Sequence, residues 1–504
     1  MNPKELEQSY QDNKNIFHKY INNIKRKSKW DIFTIINPTL IKNPYGSFFP
    51  KRVFLNDTKT SNKTILFIKT TFRFYLKNFY LLVSYVIAFI LYKIYYTKKP
   101  KGATETIIDI FILVDKTNQK GKFSENYLDG VYQELDRYNS KYAILPRLYG
   151  VGKNPFKLKQ FFKILSSDKR NFIFEYELLK LSDFLRLLGL IIVYPFKLLR
   201  LLQKEDNNID KIFNQSLLED IKYFSFDSLT RYILGKNISK INSIKKIYSW
   251  SEFQVIERSF NYAVRNSNAN IEIVALQFYL NYEIYFNAFV DDLDYDMLSS
   301  PHKVLVNGRY YIHKRDRVKY EIGVSLRYKD IFLFDGIKEV RDILLLGSYI
   351  ESDTKYMLEC TKDFDSVIFK NHPAVDIKRL GTIPQNITIS DENIYKLFEN
   401  TKLVIATASG TAVEAVACGL SVMVIASNDN LTANPLVEYG KHQVWDIAFN
   451  KNDVKILENR LTEYRKTDTE EIAKISKWYR DNFFVEPTKE KIIEVFELQN
   501  GDKK

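Results

Sequence analysis

The chain has 504 residues, too many for one ordinary core, and its 45% hydrophobic and 27% charged content is that of a folded protein, not a disordered one. Two cysteines, Cys360 and Cys418, argue against a disulfide scaffold or a structural zinc site and fit a reducing cytoplasm. The net charge of +14 sits almost wholly in residues 1–100, with 18 Lys and Arg against 5 Asp and Glu; the remainder is close to neutral, as in a soluble enzyme.

A basic segment attracts nucleic acid or an anionic membrane surface. Here it contains "NFYLLVSYVIAFILYKIYY", Asn78 to Tyr96, with no charge between Lys77 and Lys93. That run is shorter than the roughly 20 apolar residues of a spanning helix. Its flanks, Arg73, Lys77, Lys93, Lys98 and Lys99, and its many Tyr and Phe favour a helix lying in or dipping into the cytoplasmic leaflet. A spanning helix and a buried soluble helix are the alternatives. The run starts too late for a signal peptide and lacks a small-residue cleavage site. With no recognised RNA or DNA module, nucleic acid is not an expected partner. "DFLRLLGLIIVYPFKLLRLLQK", Asp183 to Lys204, has Leu and Ile at helical spacing and a kink expected at Pro195. It reads either as a core helix with a basic rim or as a second membrane-contacting surface.

After Pro100-Lys101-Gly102 the texture changes. Strands are expected at "ETIIDIFILVD" (Glu105–Asp115), "KYAILPRLYG" (Lys141–Gly150), "KKIYSW" (Lys245–Trp250), "NIEIVALQF" (Asn270–Phe278) and "KVLVNG" (Lys303–Gly308). Helices are expected between them, among them "SEFQVIERSFNYAVRN" and "YYIHKRDRV". The alternation restarts after Asp335-Gly336: "RDILLLGSY", "SVIFK", "KLVIAT" and "LSVMVIA" read as strands, with helical stretches between. Residues 452–499 read as two or three helices. The fold class is therefore α/β: two Rossmann-like domains facing a cleft, with a basic, apolar N-terminal helical appendage. The expected division is 1–100 for the appendage, 101–335 for a first α/β domain and 336–504 for a second one with terminal helices, hinged near 320–340. A ligand is expected in the cleft, at the C-terminal ends of the strands.

Two loops there carry chemistry. His372 follows the strand "SVIFK", and Pro373 restricts it to an extended conformation that can aim the imidazole across the cleft at a phosphate oxygen. "ASGT", Ala408 to Thr411, lies between a strand and a helix. Gly410 permits close backbone approach, Ser409 or Thr411 is expected to cap the helix, and its first N–H groups form an anion site. Glu414, one turn in, could reach a sugar hydroxyl. No glycine-lysine P-loop and no G-x-G-x-x-G is present. Taken alone, each loop is equally compatible with a plain turn or a helix cap.

Together, strand–His-Pro and strand–Ser-Gly-Thr–helix–Glu resemble the donor-nucleotide half of GT-B glycosyltransferases. More narrowly, they resemble the bacterial surface-carbohydrate and capsule group that includes Kdo and sialic acid transferases with an "HP" motif. "YSWSEFQVIERSFNYAVR", "ALQFY" and "PHKVLVNG" extend the likeness over roughly residues 240–450. The resemblance implies that His372, Pro373, Ser409, Gly410 and Thr411 surround the phosphates of a nucleotide-sugar, with no further cofactor and no metal. Sialyltransferases of this kind carry an acidic-acidic-Gly motif; this chain has only Phe334-Asp335-Gly336, near the expected hinge. Glu252, at the mouth of a strand, is the expected catalytic base, although acidic residues also sit at helix starts for electrostatic reasons alone. "DDLDYD", Asp291 to Asp296, lacks the glycine and distal Glu of a calcium loop and is expected to be a solvated acidic loop.

The expected function is transfer of a sugar, from a CMP-sugar in preference, to a surface-polysaccharide or lipid-linked acceptor on the inner face of the membrane. The enzyme would be cytoplasmic and peripheral or monotopic. A CDP-glycerol-type glycerophosphotransferase, a sugar-nucleotide epimerase and a non-catalytic assembly protein are the alternatives.

Overall fold

A computed structural model describes residues 2–44, 46–59, 61–98, 103–149 and 154–498. Lys99, the expected linker Pro100-Lys101-Gly102, and Gly150 lie outside the described residues. Among the described residues twelve strands form two six-stranded sheets, and every strand pair is parallel. The first sheet has the order β2-β1-β3-β4-β5-β6, from β1 (Thr106–Leu113), β2 (Tyr142–Tyr149), β3 (Lys246–Trp250), β4 (Glu272–Gln277), β5 (Lys303–Val306) and β6 (Lys319–Ile322). The second has the order β12-β11-β10-β7-β8-β9. Its strands are β7 (Asp342–Leu346), β8 (Val367–Lys370), β9 (Ile387–Ile389), β10 (Thr401–Ala406), β11 (Val422–Ile425) and β12 (Trp445–Ala448). Strands covered on both faces need apolar side chains throughout, and β7 and β11 are buried at every position.

The helices that position the site are α1 (Pro3–Lys27), α2 (Phe48–Phe54), α3 (Lys63–Tyr95), α4 (Leu181–Leu198), α5 (Asn208–Asp220) and α6 (Val255–Ser267). They continue with α7 (Asp292–Asp296), α8 (Thr411–Ala417), α9 (Thr469–Phe483) and α10 (Lys489–Val495). Where "YYIHKRDRV" suggests a helix there is one turn, Arg309–Tyr311, followed by extended chain. The side chains there serve other elements: Tyr311 Oη accepts the Asn281 N–H at 3.2 Å, and Arg309 Nε donates to Asp481 O at 2.9 Å.

The N-terminal helices share one core with the first sheet. Phe17, Ile21, Phe49, Phe54 and Phe74 are buried in the same cluster as Ile108, Ile110 and Leu276. Asp220, at the end of α5, pins α2 in place: its carboxylate accepts from Ser47 Oγ, from Thr39 Oγ1 at 2.7 Å and from the Phe48 N–H at 3.0 Å. With no cation beside it, burial pushes its pKa up to about 6. The acidic run after β4 is a second anchor, contrary to the solvated loop expected from its composition. Asp291 caps α7, and buried Asp294 holds Lys25 Nζ at 2.8 Å and an Arg258 nitrogen at 2.7 Å. Burial opposes its ionisation, yet Arg258, Lys25 and Lys42 keep its carboxyl far below the usual range.

The helix read from the apolar run begins earlier than that run. α3 is 33 residues long and contains no Asp or Glu. One face, including Phe74, Asn78, Tyr85, Ala88 and Tyr92, is buried against the protein. The other exposes Ile65, Ile68, Phe72, Leu76, Val83 and Ile90. α4 packs beside it, with the Phe67 and Phe196 rings 6.0 Å apart and Tyr75 Oη donating to Ile192 O at 2.7 Å. It turns Leu181, Leu185 and Phe196 to the same exterior.

Two chain crossings join the sheets, between β6 and β7 and again after α9. They lie side by side: Ser325 N–H donates to Val485 O at 2.9 Å, and Val485 N–H to Ser325 Oγ at 2.8 Å. Beyond them α10 returns to the first sheet, where Glu497 pairs with Lys246 at 2.6 Å.

Candidate functional site

On the first-domain side, β3 ends at buried Trp250, and the chain turns through Ser251 and Glu252 into α6. A buried ion network fixes this turn from below. Arg147 donates to the Trp250 carbonyl and to Glu257 Oε1 at 2.5 Å, with its Nε 3.3 Å from Asp109. Arg231 and Ser249 complete the shell of Asp109 at 2.6 and 2.7 Å. Glu257 also accepts the Gln254 N–H at 2.9 Å, and Asn287 Nδ2 donates to Glu252 O at 2.9 Å. Phe253 is buried with φ +51°, a left-handed conformation that costs a side-chain-bearing residue about 1–3 kcal/mol. The turn is held in a strained shape that leaves the Glu252 side chain exposed. Glu252 faces a set of tyrosines: burial first, with the Glu252 charge contributing, raises the hydroxyl pKa values of Tyr127, Tyr279 and Tyr285.

On the second-domain side, β8 leads into Asn371-His372-Pro373. Asn371 Nδ2 donates to Val375 O at 2.8 Å, and His372 Nδ1 accepts the Ala374 N–H at 3.1 Å. A ring that accepts at Nδ1 carries its proton on Nε2 when neutral. Burial lowers the His372 pKa, so at neutral pH the ring is an uncharged Nε2–H donor. Gly347, after β7, makes room for this loop, since a Cβ there would stand 2.9 Å from His372 N. Pro373 is exposed at the tip. Tyr349, 6.1 Å from the His372 ring between centroids, shares a hydroxyl hydrogen bond with Tyr285. The structure thus links the Glu252 side to the His372 side through two tyrosines.

The Ser-Gly-Thr loop differs from expectation. Neither Ser409 nor Thr411 caps α8; the N-cap is Gly410, with no side-chain cap bond. The strain lies one residue earlier, at Ala408, φ +52°, whose N–H donates to Ala433 O at 3.1 Å. Gly410 abuts Leu280 of the first domain, where an added Cβ would sit 3.4 Å from that side chain, and its N–H meets the Tyr282 hydroxyl. That N–H is therefore taken by the protein and does not face an open anion site. Ser409 and Thr411 remain half-exposed beside it. Glu414 turns inward: it is buried, accepts from Tyr395 Oη at 2.5 Å and bonds the Thr411 hydroxyl, and burial raises its pKa. It braces the loop from within the protein.

One basic residue between the halves was not legible from a motif. Arg327 is exposed, with its guanidinium 5.5 Å from the Tyr127 ring and 6.0 Å from that of Trp250, and it forms no ion pair among the described residues. Its charge lowers the pKa of both Tyr127 and Glu414 against the effect of burial, so it stands between the two domains. An exposed base, a neutral imidazole donor and an unpaired guanidinium can deprotonate a hydroxyl and hold an anionic group. Among the described residues, no three His, Cys, Asp or Glu side chains gather as a metal site.

No family model matches the chain, and no curated protein matches it. Solved structures align over most of its length at low identity. A putative UDP-N-acetylglucosamine 2-epimerase from Listeria monocytogenes is 10% identical, over 76% of this chain and 94% of its own, with a TM-score of 0.39. The wall teichoic acid polymerase TagF with CDPG is 11% identical, over 85% and 96%, with a TM-score of 0.37. The spinosyn rhamnosyltransferase SpnG with spinosyn aglycone is 11% identical, over 74% and 97%, also at 0.37. Likeness at this level places no activity on the chain, whose two-sheet α/β architecture is seen directly in its strand order.

Proposed function

We propose that the protein is a glycosyltransferase that moves a sugar from a nucleotide-activated donor, a CMP-sugar in preference, to a surface-polysaccharide or lipid-linked acceptor at the cytoplasmic face of the membrane. The observation that carries the reading is the opposition of exposed Glu252 to His372 across the tyrosine bridge, with unpaired Arg327 between the domains. Glu252 takes the proton from the acceptor hydroxyl as its oxygen attacks the anomeric carbon. The bond from that carbon to the phosphate oxygen breaks, and the nucleotide leaves with the electron pair. His372 Nε2–H and Arg327 stabilise the charge that gathers on the leaving phosphate. Ser409, Gly410 and Thr411 line the donor side, as the motif resemblance implies, with Glu414 bracing them from behind.

Support for the membrane comes from α3. The helix is long and apolar enough to cross a bilayer, yet one face is packed lengthwise against the protein. A helix so packed lies along the interface instead of running through it, with Lys69, Arg73 and Lys93 exposed for anionic headgroups.

Calorimetric titration of the full chain with CMP, CDP, UDP and GDP tests the reading. One nucleotide should bind, and His372→Ala and Arg327→Ala should each weaken it by about 1.5–3 kcal/mol, roughly 10- to 150-fold. Failure of all four to bind, or equal binding by both variants, would sink it. Turnover of CDP-glycerol but of no CMP-sugar would reassign the reaction to glycerophosphoryl transfer.

A further inference from the structure

The segment after β4 divides the space between the two sheets. Tyr282 and Tyr285 face the Ser409 and His372 loops, while Glu283, Ile284 and Phe286 line a separate cavity of about 1200 Å³ on the far side. That cavity lies beside β12 and the chain leading into it, and α1 forms one wall. Glu7, Gln11, Asn15, His18 and Asn22 follow at spacings of three or four residues and, with Lys14, present the polar face of α1 to it. The opposite face is locked into the core through Phe17, Ile21 and Ile24. An amphipathic helix at a protein surface ordinarily turns its polar face to bulk water; this one turns it over the open mouth of a cavity, where Gln11 and Asn15 stay exposed.

The walls have a definite chemistry. The cations Lys14, Lys42 and Lys441 are matched by Glu283, Asp291 and Glu438 at 3.1, 3.2 and 2.9 Å, and His442 meets Asp446 at 2.8 Å. Arg315 is turned to the Val290 carbonyl at 3.4 Å. Asn281, only 5% exposed, lines the cavity with neither amide atom partnered among the described residues, where His313 Nε2 and Asn22 Oδ1 are also without partners. Burial lowers His18 and His313 to about 4, so both rings are neutral at pH 7. Phe289 and Tyr310 add aromatic surface. Amides and neutral imidazoles both donate and accept, as sugar hydroxyls do, and aromatic faces suit the apolar side of a sugar ring. The volume exceeds the roughly 300–1,000 Å³ of an ordinary small-molecule pocket.

We propose that this cavity binds an uncharged, hydroxyl-rich oligosaccharide, apart from the nucleotide half of the cleft. The inference deepens the transferase reading and rests on it for the role of the glycan as acceptor. The test is an array of synthetic capsule-type and O-antigen-type oligosaccharides, probed with the full chain and no nucleotide. An oligosaccharide should bind, about tenfold or more weakly to Asn281→Leu and to the Gln11→Leu/Asn15→Leu double variant, and unchanged to His372→Ala. Nucleotide binding retained by the cavity variants shows that they fold. Absence of any bound glycan, or binding indifferent to both cavity variants, overturns the proposal while leaving nucleotide binding to stand on its own. Glycan binding without nucleotide binding keeps the cavity and removes the transferase.

Discussion

Serine at Ile68, Leu76 and Val83 would strip three side chains from the outward stripe of α3 without touching its packed face. Their exposures are 63%, 59% and 60%, so about three-fifths of each apolar surface remains to be buried. Full burial of a side chain of this size contributes roughly 1.5–3 kcal/mol, so the open part contributes roughly 1–2 kcal/mol at each site. With the stripe among lipid tails, the triple substitution should weaken partitioning by roughly 3–5 kcal/mol, two to four orders of magnitude. Folding stability should move by less than about 0.5 kcal/mol per site, because exposed side chains away from packing contribute little. Flotation of the full chain with phosphatidylglycerol-containing vesicles, at low and then high salt, measures the first quantity. A melting curve measures the second. Wild-type protein should stay on the vesicles in high salt, which screens the basic residues but not the inserted stripe. Equal flotation of wild type and triple variant would refute the placement in lipid. A large fall in melting temperature would show that these side chains are packed within the protein.

Glu252→Gln keeps the shape of the turn and removes the base; turnover should fall roughly 100-fold or more while nucleotide affinity holds, and full activity would reject the assignment. Asp220 is held near pKa 6, against 3.8 for the ordinary side chain. The folded state thus binds its proton more tightly than the unfolded one, and the stability this gives is complete below about pH 4 and lost as pH rises through about 6. Urea denaturation of the wild type between pH 4 and pH 7 should therefore show a loss of roughly 2–3 kcal/mol that Asp220→Asn lacks, and identical profiles would refute it.

The central strands were legible because parallel strands covered on both faces read as unbroken apolar runs, as in Asp342–Leu346 and Val422–Ile425. The edge strands were not. Lys319–Ile322 and Ile387–Ile389 are short and largely exposed, and Trp445–Ala448 carries Asp446. The loops bearing Glu252 and His372 follow from strand ends and were placed correctly by pattern alone. Their linkage through Tyr285 and Tyr349 joins residues 64 positions apart, and Arg327 carries no motif, so neither had a local signal. The acidic run misled for the same reason: Asp294 answers to Lys25, 269 positions away, and composition cannot see such a partner.

The paired chain crossings at Ser325 and Val485 bear on how the two halves can move. One covalent link between two bodies leaves them free to swing, twist and slide. Two links that run together and hydrogen-bond to each other act like adjacent pins on one door frame. Twisting or sliding would have to break the Ser325–Val485 pair, whereas opening and shutting about the line through it need not. In the proposed reaction, Glu252 and His372 then approach and part along a single arc, and each closure that remakes the Tyr285–Tyr349 bond returns them to the same geometry.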